Sequence, residues 1–214
     1  MKTSLLCRLL LPITFAAGLT GCFGPFVAGA SVGAAGTAVV YDRRSIDTIK
    51  QDQTVAYNIE NKLYADDTPT KEAHIGAYAY NGVVLLAGQA PDQAAKKYAT
   101  QIAQKTENVR RVYNEVVIGP NSDTSTRAND SWITTKIKTE LLAQKHLKSG
   151  QFKVITESGV VFIVGKASHE QADMAATIAS RVSGVTRVVK IIEYMKTTVT
   201  PPKEAPLPGD DTTN

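Results

Sequence analysis

Cysteine is almost absent from this chain of 214 residues, which contains only Cys7 and Cys22. A chain with so few cysteines cannot rely on a framework of disulfides, so its fold must rest on an apolar core. Long apolar runs are also missing near the start of the chain. The run over residues 9–18 is too short to cross a bilayer, which takes about 20 residues, but it suits the apolar region of an export signal.

A strong excess of one charge is also missing. The chain has 24 Lys and Arg against 20 Asp and Glu, and the basic residues Lys2 and Arg8 precede or border the apolar run of the export signal. Removal of that signal leaves 22 basic and 20 acidic residues, a net charge of +2. This balance argues against a broad basic surface, so we expect no nucleic-acid partner.

Catalytic and metal-binding patterns are scarce as well. The three histidines, His74, His146 and His169, are scattered and show no zinc-ligand spacing. Ser168 is followed by His169 and Glu170, but neighbours in sequence rarely form a catalytic relay, and Ser168 is expected to cap a helix. We therefore expect a protein that is not an enzyme and has no cofactor and no metal site.

Cys22 stands directly after the export signal, in Leu19-Thr20-Gly21-Cys22, which resembles the lipobox of bacterial lipoproteins. The resemblance implies that residues 1–21 are a signal peptide cut before Cys22, and that Cys22 receives a diacylglyceryl group and an acyl chain such as palmitate. Several acyl chains anchor a protein stably. Phe23 and Gly24 follow in place of Asp, which by the same resemblance implies delivery to the outer membrane. The alternative is an ordinary signal peptide with a chance cysteine.

The segments that flank the centre of the chain lack the composition to bury a core. Nine of the sixteen residues from 23 to 38 are Gly or Ala, so residues 22–47 are predicted to form a flexible, lipidated tether. Residues 197–214 are rich in proline and acidic residues, which is typical of a disordered tail.

The centre of the chain repeats itself. The sequence NGVVLLAGQA at 81–90 matches SGVVFIVGKA at 158–167, an offset of 77 residues. A repeat of this length is too long for a solenoid unit and indicates two copies of one small domain. The copies are predicted at 48–119 and 130–196, joined by a polar linker at 120–129.

An apolar residue at every fourth position predicts that each copy begins with an amphipathic helix that buries one stripe. Asp130 or Ser131 is the predicted N-cap of the second of these helices. The stripe consists of Val55, Ile59 and Leu63 in the first copy and of Ile133, Ile137 and Leu141 in the second.

Turn signals place a β-hairpin after each of these helices, at Asn81-Gly82 and at Ser158-Gly159. Asn-Gly favours a type I′ turn, in which both central residues have positive φ. A second helix and a final strand follow in each copy, the strand running over 111–118 in the first copy and 187–194 in the second. Each copy is thus predicted to be an α-β-β-α-β domain of the α+β class, with two helices covering a small sheet.

The hairpins resemble those of the BON domain, a module of secreted and lipid-anchored bacterial envelope proteins. The likeness rests on Gly82-Val83-Val84-Leu85 with Gly88, and on Gly159-Val160-Val161-Phe162 with Gly165. With the lipobox, the whole architecture is similar to the dual BON-domain outer-membrane lipoproteins.

This resemblance implies a non-catalytic protein that is held by Cys22 at the periplasmic face of the outer membrane and supports the integrity of that membrane. It implies binding of anionic phospholipids, phosphatidylglycerol and cardiolipin, through the first helix of the second copy. It also implies association with the machinery that assembles outer-membrane barrels. The alternative is a protein-interaction adaptor for barrel assembly or for cell-wall machinery, in which a sheet edge accepts a partner strand.

The second copy carries the only tryptophan, Trp132, where the first copy has Thr54. On a helical wheel Trp132 lies about 140° from the buried stripe. Tryptophan favours membrane interfaces, and a nearby lysine can meet a lipid phosphate. The alternative is that Trp132 packs against the other domain or the linker. The candidate phospholipid-contact residues are Trp132, Thr135, Lys136, Thr139 and Leu142.

Overall fold

The computed structural model of the chain describes residues 44–145, 147 and 149–195. The predicted signal peptide, the lipidation site Cys22 and the predicted tail 197–214 lie outside the described residues. Within the described part of the chain, no helix has the length and the apolar composition that a membrane span requires.

The first copy has the predicted order of helix, two strands, helix and strand, and its last strand is divided into two pieces. Its elements are α1 (Ile46–Leu63), β1 (His74–Tyr80), β2 (Val83–Ala90), α2 (Gln93–Gln104), β3 (Arg111–Asn114) and β4 (Val117–Ile118).

The second copy repeats this order with a continuous last strand. A short 3₁₀ turn leads from its first helix into the hairpin. Its elements are α3 (Thr124–Leu142), the 3₁₀ turn Ser149–Gln151, β5 (Phe152–Glu157), β6 (Val160–Ala167), α4 (His169–Ser180) and β7 (Arg187–Tyr194).

The division of the last strand in the first copy departs from the continuous strand predicted over 111–118. The amide of Glu115 donates to the carbonyl of Leu86, and the amide of Val116 donates to the side chain of Asn114. This local bond turns Val116 into the core, where it is buried, and interrupts the alternation of the strand. A side chain thus competes with the strand ladder for a backbone donor.

Each hairpin supplies the central strand of its sheet. In the first sheet β2 pairs antiparallel with β1 and parallel with β3 and β4, and in the second sheet β6 pairs antiparallel with β5 and parallel with β7. The turn residues Asn81 and Gly82 have φ of 51° and 72°, and Ser158 and Gly159 have φ of 50° and 76°. Positive φ at both central positions confirms the prediction of the turn geometry and extends it to Ser-Gly.

The predicted apolar stripe of each first helix is buried against its own sheet, which confirms that prediction. The stripe packs on inward-facing residues of the central strand, such as Val84 and Leu86 in the first copy and Val161 and Ile163 in the second. The second helix of each copy joins the same core through alanines at positions 95, 99 and 103, or 172, 175 and 179.

The start of α3 differs from the prediction. The helix begins at Thr124, because the carboxylate of Asp123 accepts the amide of Thr126 and caps it. The prediction that Asp130 or Ser131 caps this helix is therefore wrong. The segment 124–129, which was predicted to belong to the linker, is helical. An earlier capping residue and the absence of Gly and Pro let the helix extend by two turns.

Asp130 instead holds the hairpin turn of its own copy. Its buried carboxylate accepts the amides of Ser158, at 2.7 Å, and Gly159, at 2.9 Å. In the first copy Asp52 accepts the amides of Asn81 and Gly82 at 2.6 Å and 2.9 Å. In each copy, an aspartate at the equivalent position therefore fastens the first helix to the hairpin.

The two sheets pack face to face, so helices cover only one face of each sheet. Successive residues of a strand point to opposite faces, and the residues that do not face the helices meet the other copy. This explains why the central strands are apolar at nearly every position. The shared cluster contains Tyr80, Val83, Leu85 and Ala87 from the first copy and Ile155, Phe162, Val164 and Ile191 from the second.

Polar contacts connect the two copies at the border of this cluster. Glu193 accepts from the guanidinium of Arg110 at 2.7 Å and from the side-chain amide of Asn81 at 2.9 Å. The hydroxyl of Tyr78 donates to the carboxylate of Glu157 at 3.2 Å. These bonds fix the register of the two sheets, because each one joins a residue of one copy to a residue of the other.

Loss of the carboxylate that fastens α3 to its hairpin should destabilise the second copy. We expect Asp130→Asn to lower the free energy of unfolding by about 2 kcal/mol, because the side-chain NH2 group of Asn replaces one of the two oxygens that accept the turn amides. Chemical denaturation followed by circular dichroism measures this change. The control is Asp173→Asn, whose exposed carboxylate pairs with Lys190 on the surface and should leave the midpoint almost unchanged.

The carboxyl of Glu157 should make stability depend on pH. Burial raises the pKa of Glu157 from 4.5 to about 7, although the hydrogen bond from Tyr78 lowers it. The folded state therefore holds this proton more tightly than the unfolded state does. Protonation of Glu157 stabilises the folded state relative to the unfolded state. This stabilisation is fully present below about pH 4.5 and is lost as the pH rises through about 7.

The variant Glu157→Gln removes this titration and keeps an acceptor for the Tyr78 hydroxyl. At about pH 8 it should be more stable than the wild type by about 2 kcal/mol, after allowance for partial solvent access. The gain should shrink at about pH 5, which urea unfolding at both pH values measures. The control Glu170→Gln, at an exposed position of α4, should show no such change. An equal gain at both pH values for Glu157→Gln would contradict the prediction.

Candidate membrane-contact site

Trp132 lies on the face of α3 that points away from the sheet. It follows Asp130 by two residues, which is about 200° around a helix. Because Asp130 faces the hairpin turn, Trp132 faces outward, and its side chain is 49% exposed. The ammonium of Lys136 stands 5.1 Å from the centre of the indole ring. Within the described residues Trp132 belongs to neither core and not to the shared cluster.

Leu142 extends this outer face to the end of the helix. Its side chain is 64% exposed. Ten residues separate it from Trp132, which corresponds to about 15 Å along the helix axis. Thr135, Lys136 and Thr139 lie between them and are exposed. The structure thus brings the five predicted contact residues together on one exposed helix face.

The hydroxyl groups on this face are directed to the helix backbone. Thr135 donates to the carbonyl of Ser131 at 2.9 Å, and Thr139 donates to the carbonyl of Thr135 at 3.0 Å. Ser131 donates to the carbonyl of Arg127 in the same way. A hydroxyl that is bonded to its own helix does not need a bond from solvent. The face is therefore less polar than its threonines suggest.

The charge on this face is positive. Lys136 lies within about 40° of Trp132 around the helix, whereas Glu140 lies about 80° away and Asp130 is turned to the hairpin. An exposed lysine next to an amphipathic ring suits an anionic surface.

The corresponding face of the first copy is different. Thr54 takes the place of Trp132, and its hydroxyl donates to the carbonyl of Lys50. Tyr57 is exposed, but Tyr64 is held by two bonds, because its hydroxyl donates to the carbonyl of Ile75 and accepts the amide of Ile75. The pairing of an exposed indole with a lysine is thus a property of the second copy.

The other residues considered in the sequence have structural positions. Ser168 caps α4 and forms a capping box with Gln171, which confirms its predicted role. The ring of His169 stacks on Tyr194 at 3.8 Å. Burial and the charge of Arg127 lower the pKa of His74, whereas His146 lies outside the described residues. Among the described residues, no three His, Cys, Asp or Glu side chains are grouped to hold a metal ion.

Comparison with known proteins agrees with a tandem pair of small α+β domains. The BON domain model matches residues 51–120 and 129–196. The chain therefore belongs to the BON-domain family and has two copies of the domain.

Two relatives match most of the chain. It is 37% identical over 177 residues to the outer membrane lipoprotein DolP of Haemophilus influenzae, which covers 83% of this chain and 90% of that protein. It is 43% identical over 155 residues to the 21 kDa hemolysin of Actinobacillus pleuropneumoniae, which covers 72% of this chain and 80% of that protein.

A third relative is more distant. The osmotically-inducible protein Y of Escherichia coli is 29% identical over 157 residues, which covers 72% of this chain and 78% of that protein. The names of these relatives describe no enzymatic reaction.

The exposure of Trp132 predicts a small role in stability. We expect Trp132→Ala to lower the free energy of unfolding by about 1 kcal/mol or less, because half of the side chain remains in solvent. Ile137→Ala, in the buried stripe of the same helix, should cost about 3 kcal/mol. Urea denaturation of both variants measures the difference. A cost at Trp132 equal to that at Ile137 would show that the indole belongs to the core.

Proposed function

We propose that the chain is an outer-membrane-associated envelope lipoprotein that contacts anionic phospholipid through the outer face of α3. The observation that carries this proposal is the half-exposed indole of Trp132 beneath the ammonium of Lys136. An indole is stable at the boundary between lipid chains and headgroups, because its ring is apolar and its N–H needs a polar partner.

The outer-membrane location is supported by the relatives. One of them is named as an outer membrane lipoprotein, and it matches over most of its length. The sequence Leu19-Thr20-Gly21-Cys22 supplies the residue that such an anchor requires. We propose that Cys22 carries the lipid and holds the two domains at the periplasmic face of the membrane.

The helix face alone offers a modest binding energy. Burial of Trp132 and Leu142 contributes about 1.5–3 kcal/mol for each side chain if it is complete, and less when half of the side chain is already buried. Lys136 adds about 1 kcal/mol near an anionic surface. The sum is a few kcal/mol, which suits a reversible contact.

The proposed anchor makes such a contact effective. Cys22 precedes Ser45, the N-cap of α1, by 23 residues, and a chain of that length reaches at most about 80 Å even when fully extended. The tethered helix therefore remains near the bilayer, and the contact becomes an intramolecular event with a high effective concentration. We propose that the anchor supplies attachment, while α3 selects the lipid and orients the domain pair.

An acidic residue at the indole position should abolish the contact. We expect Trp132→Glu to lose binding to phosphatidylglycerol vesicles while the protein keeps its fold, because a carboxylate is repelled by the anionic surface and gains no apolar burial. The experiment uses the mature chain with Cys22→Ser, so that acylation does not contribute. Vesicle flotation measures the bound fraction, and the emission shift of the single tryptophan reports insertion in the parent chain.

The matched control is Tyr57→Glu, which changes an exposed aromatic residue on the equivalent helix of the first copy. It should bind vesicles as the parent does. Phosphatidylcholine vesicles serve as the neutral surface and should bind weakly. Unchanged flotation of a folded Trp132→Glu variant on phosphatidylglycerol would refute the proposed contact.

A further inference from the structure

The duplication provides an internal comparison of the last strand in each copy. Lys166 of β6 is paired in register with Glu193 of β7, and the equivalent residue of β2, Gln89, is paired with Val117 of β4. By this register Val117 corresponds to Glu193, and Ile118 corresponds to Tyr194. The two positions can therefore be compared directly between the copies.

In the second copy both positions have partners. Glu193 accepts from Arg110 and Asn81 of the first copy, and the ring of Tyr194 stacks on His169. The ion pair closes one end of the shared interface between the sheets.

In the first copy both positions are open. Val117 is 59% exposed and Ile118 is 50% exposed, although both are large apolar residues on neighbouring positions of one strand. Thr186 stands where the first copy has Arg110, as the hydrogen bonds of both residues to the hairpin glycine show. Among the residues that the structure describes, the ion pair therefore has no counterpart at this end of the interface.

A groove of about 290 Å³ lies beside these two residues. Val160 and Phe162 of the second copy line it together with Val117, Ile118 and Pro120 of the first. A volume near the lower limit for small-molecule sites, in an open groove, suits a few side chains of a longer partner. The groove therefore resembles a docking surface rather than an enclosed ligand cavity.

Three charged residues line the same groove. Glu157 already accepts a hydrogen bond from Tyr78, and Glu115 lies beside the strand break. Arg187 is exposed, and within the described part of the chain its guanidinium has no hydrogen bond or ion pair. A free guanidinium next to an apolar groove is complementary to a carboxylate that accompanies apolar side chains.

The backbone of β4 favours a peptide over a lipid as the occupant of the groove. Among the described strands β4 pairs only with β2, so its outer edge is open. An open edge offers donors and acceptors that an extended peptide satisfies and an acyl chain does not. We propose that this groove, formed by Val117, Ile118, Pro120, Val160, Phe162 and Arg187, docks an extended segment of a partner protein that carries apolar side chains and a carboxylate.

The test uses the mature chain with Cys22→Ser and a displayed library of random ten-residue peptides as the probe. We expect enrichment of sequences that alternate apolar residues and contain Asp or Glu. Synthetic copies of the enriched peptides should shift the backbone NMR signals of Val117, Ile118 and Arg187. Failure to enrich any sequence, or shifts confined to other surfaces, would overturn the proposal.

Substitutions in the groove test whether the enriched peptides bind there. Arg187→Gln should weaken the enriched peptides by about tenfold, as expected for loss of one charge-assisted pair. The matched control Arg181→Gln, an exposed arginine that follows α4, should not weaken them. Val117→Ser combined with Ile118→Ser should also weaken binding, and its melting temperature reports that the fold is kept. If the Arg187→Gln variant and the double serine variant both bound the peptides as tightly as the parent chain does, the proposed site would be contradicted.

A membrane is the other class of surface that exposed apolar residues could meet. The double serine variant should therefore float with phosphatidylglycerol vesicles as the parent does. A loss of flotation comparable with that of Trp132→Glu would show that Val117 and Ile118 contact lipid, and would overturn the proposal of a peptide site.

Discussion

The bond between a helix carboxylate and the amides of a hairpin turn determines the geometry of both domains. Asp52 and Asp130 lie 78 residues apart in the chain and make the same pair of bonds. A buried carboxylate that accepts two amides is stabilised, and it satisfies donors that a tight turn leaves free. The bond sets the rotation of the helix about its axis. In the second copy this rotation directs Trp132 away from the sheet, so one internal bond defines the external face.

Local patterns predicted most of the fold. The spacing of Val55, Ile59 and Leu63 identified a buried stripe, and the turn dipeptides located the hairpins, since both signals act over a few residues. The carboxylate bond was missed, although its signal is present: each aspartate precedes the first stripe residue by three positions and so shares its face. The packing of the two sheets was also not predicted, because it joins residues that are far apart in sequence.

The continuous apolar runs of the central strands contained a partial signal of that packing. A strand buried on one face alternates between apolar and polar residues, whereas β2 and β6 do not. Such runs require cover on both faces, and the helices of one copy provide it for only one. The sequence cannot specify which surface supplies the second cover, since that choice depends on the complementary shapes of two sheets.

The sequence predicted which residues share the exposed face of α3, but not the hydrogen bonds that their side chains make. Helical periodicity placed Trp132 and Leu142 on one outer face, because the angle per residue is fixed. The bonds of Thr135 and Thr139 to the backbone depend on rotamers, which composition does not reveal. The exposure of Val117 and Ile118 was not predicted, because it depends on the strand break after Asn114, which arises from a single hydrogen bond to a side chain.

The shared cluster between the sheets has a consequence for the loss of either repeat. Leu85 and Phe162 are buried only because the opposite repeat lies over them. Deletion of either repeat would leave an uncovered apolar sheet, which favours self-association and aggregation. With such facing surfaces, neither repeat can be removed without a new cover for the other, so loss of one repeat requires compensating changes in the one that remains.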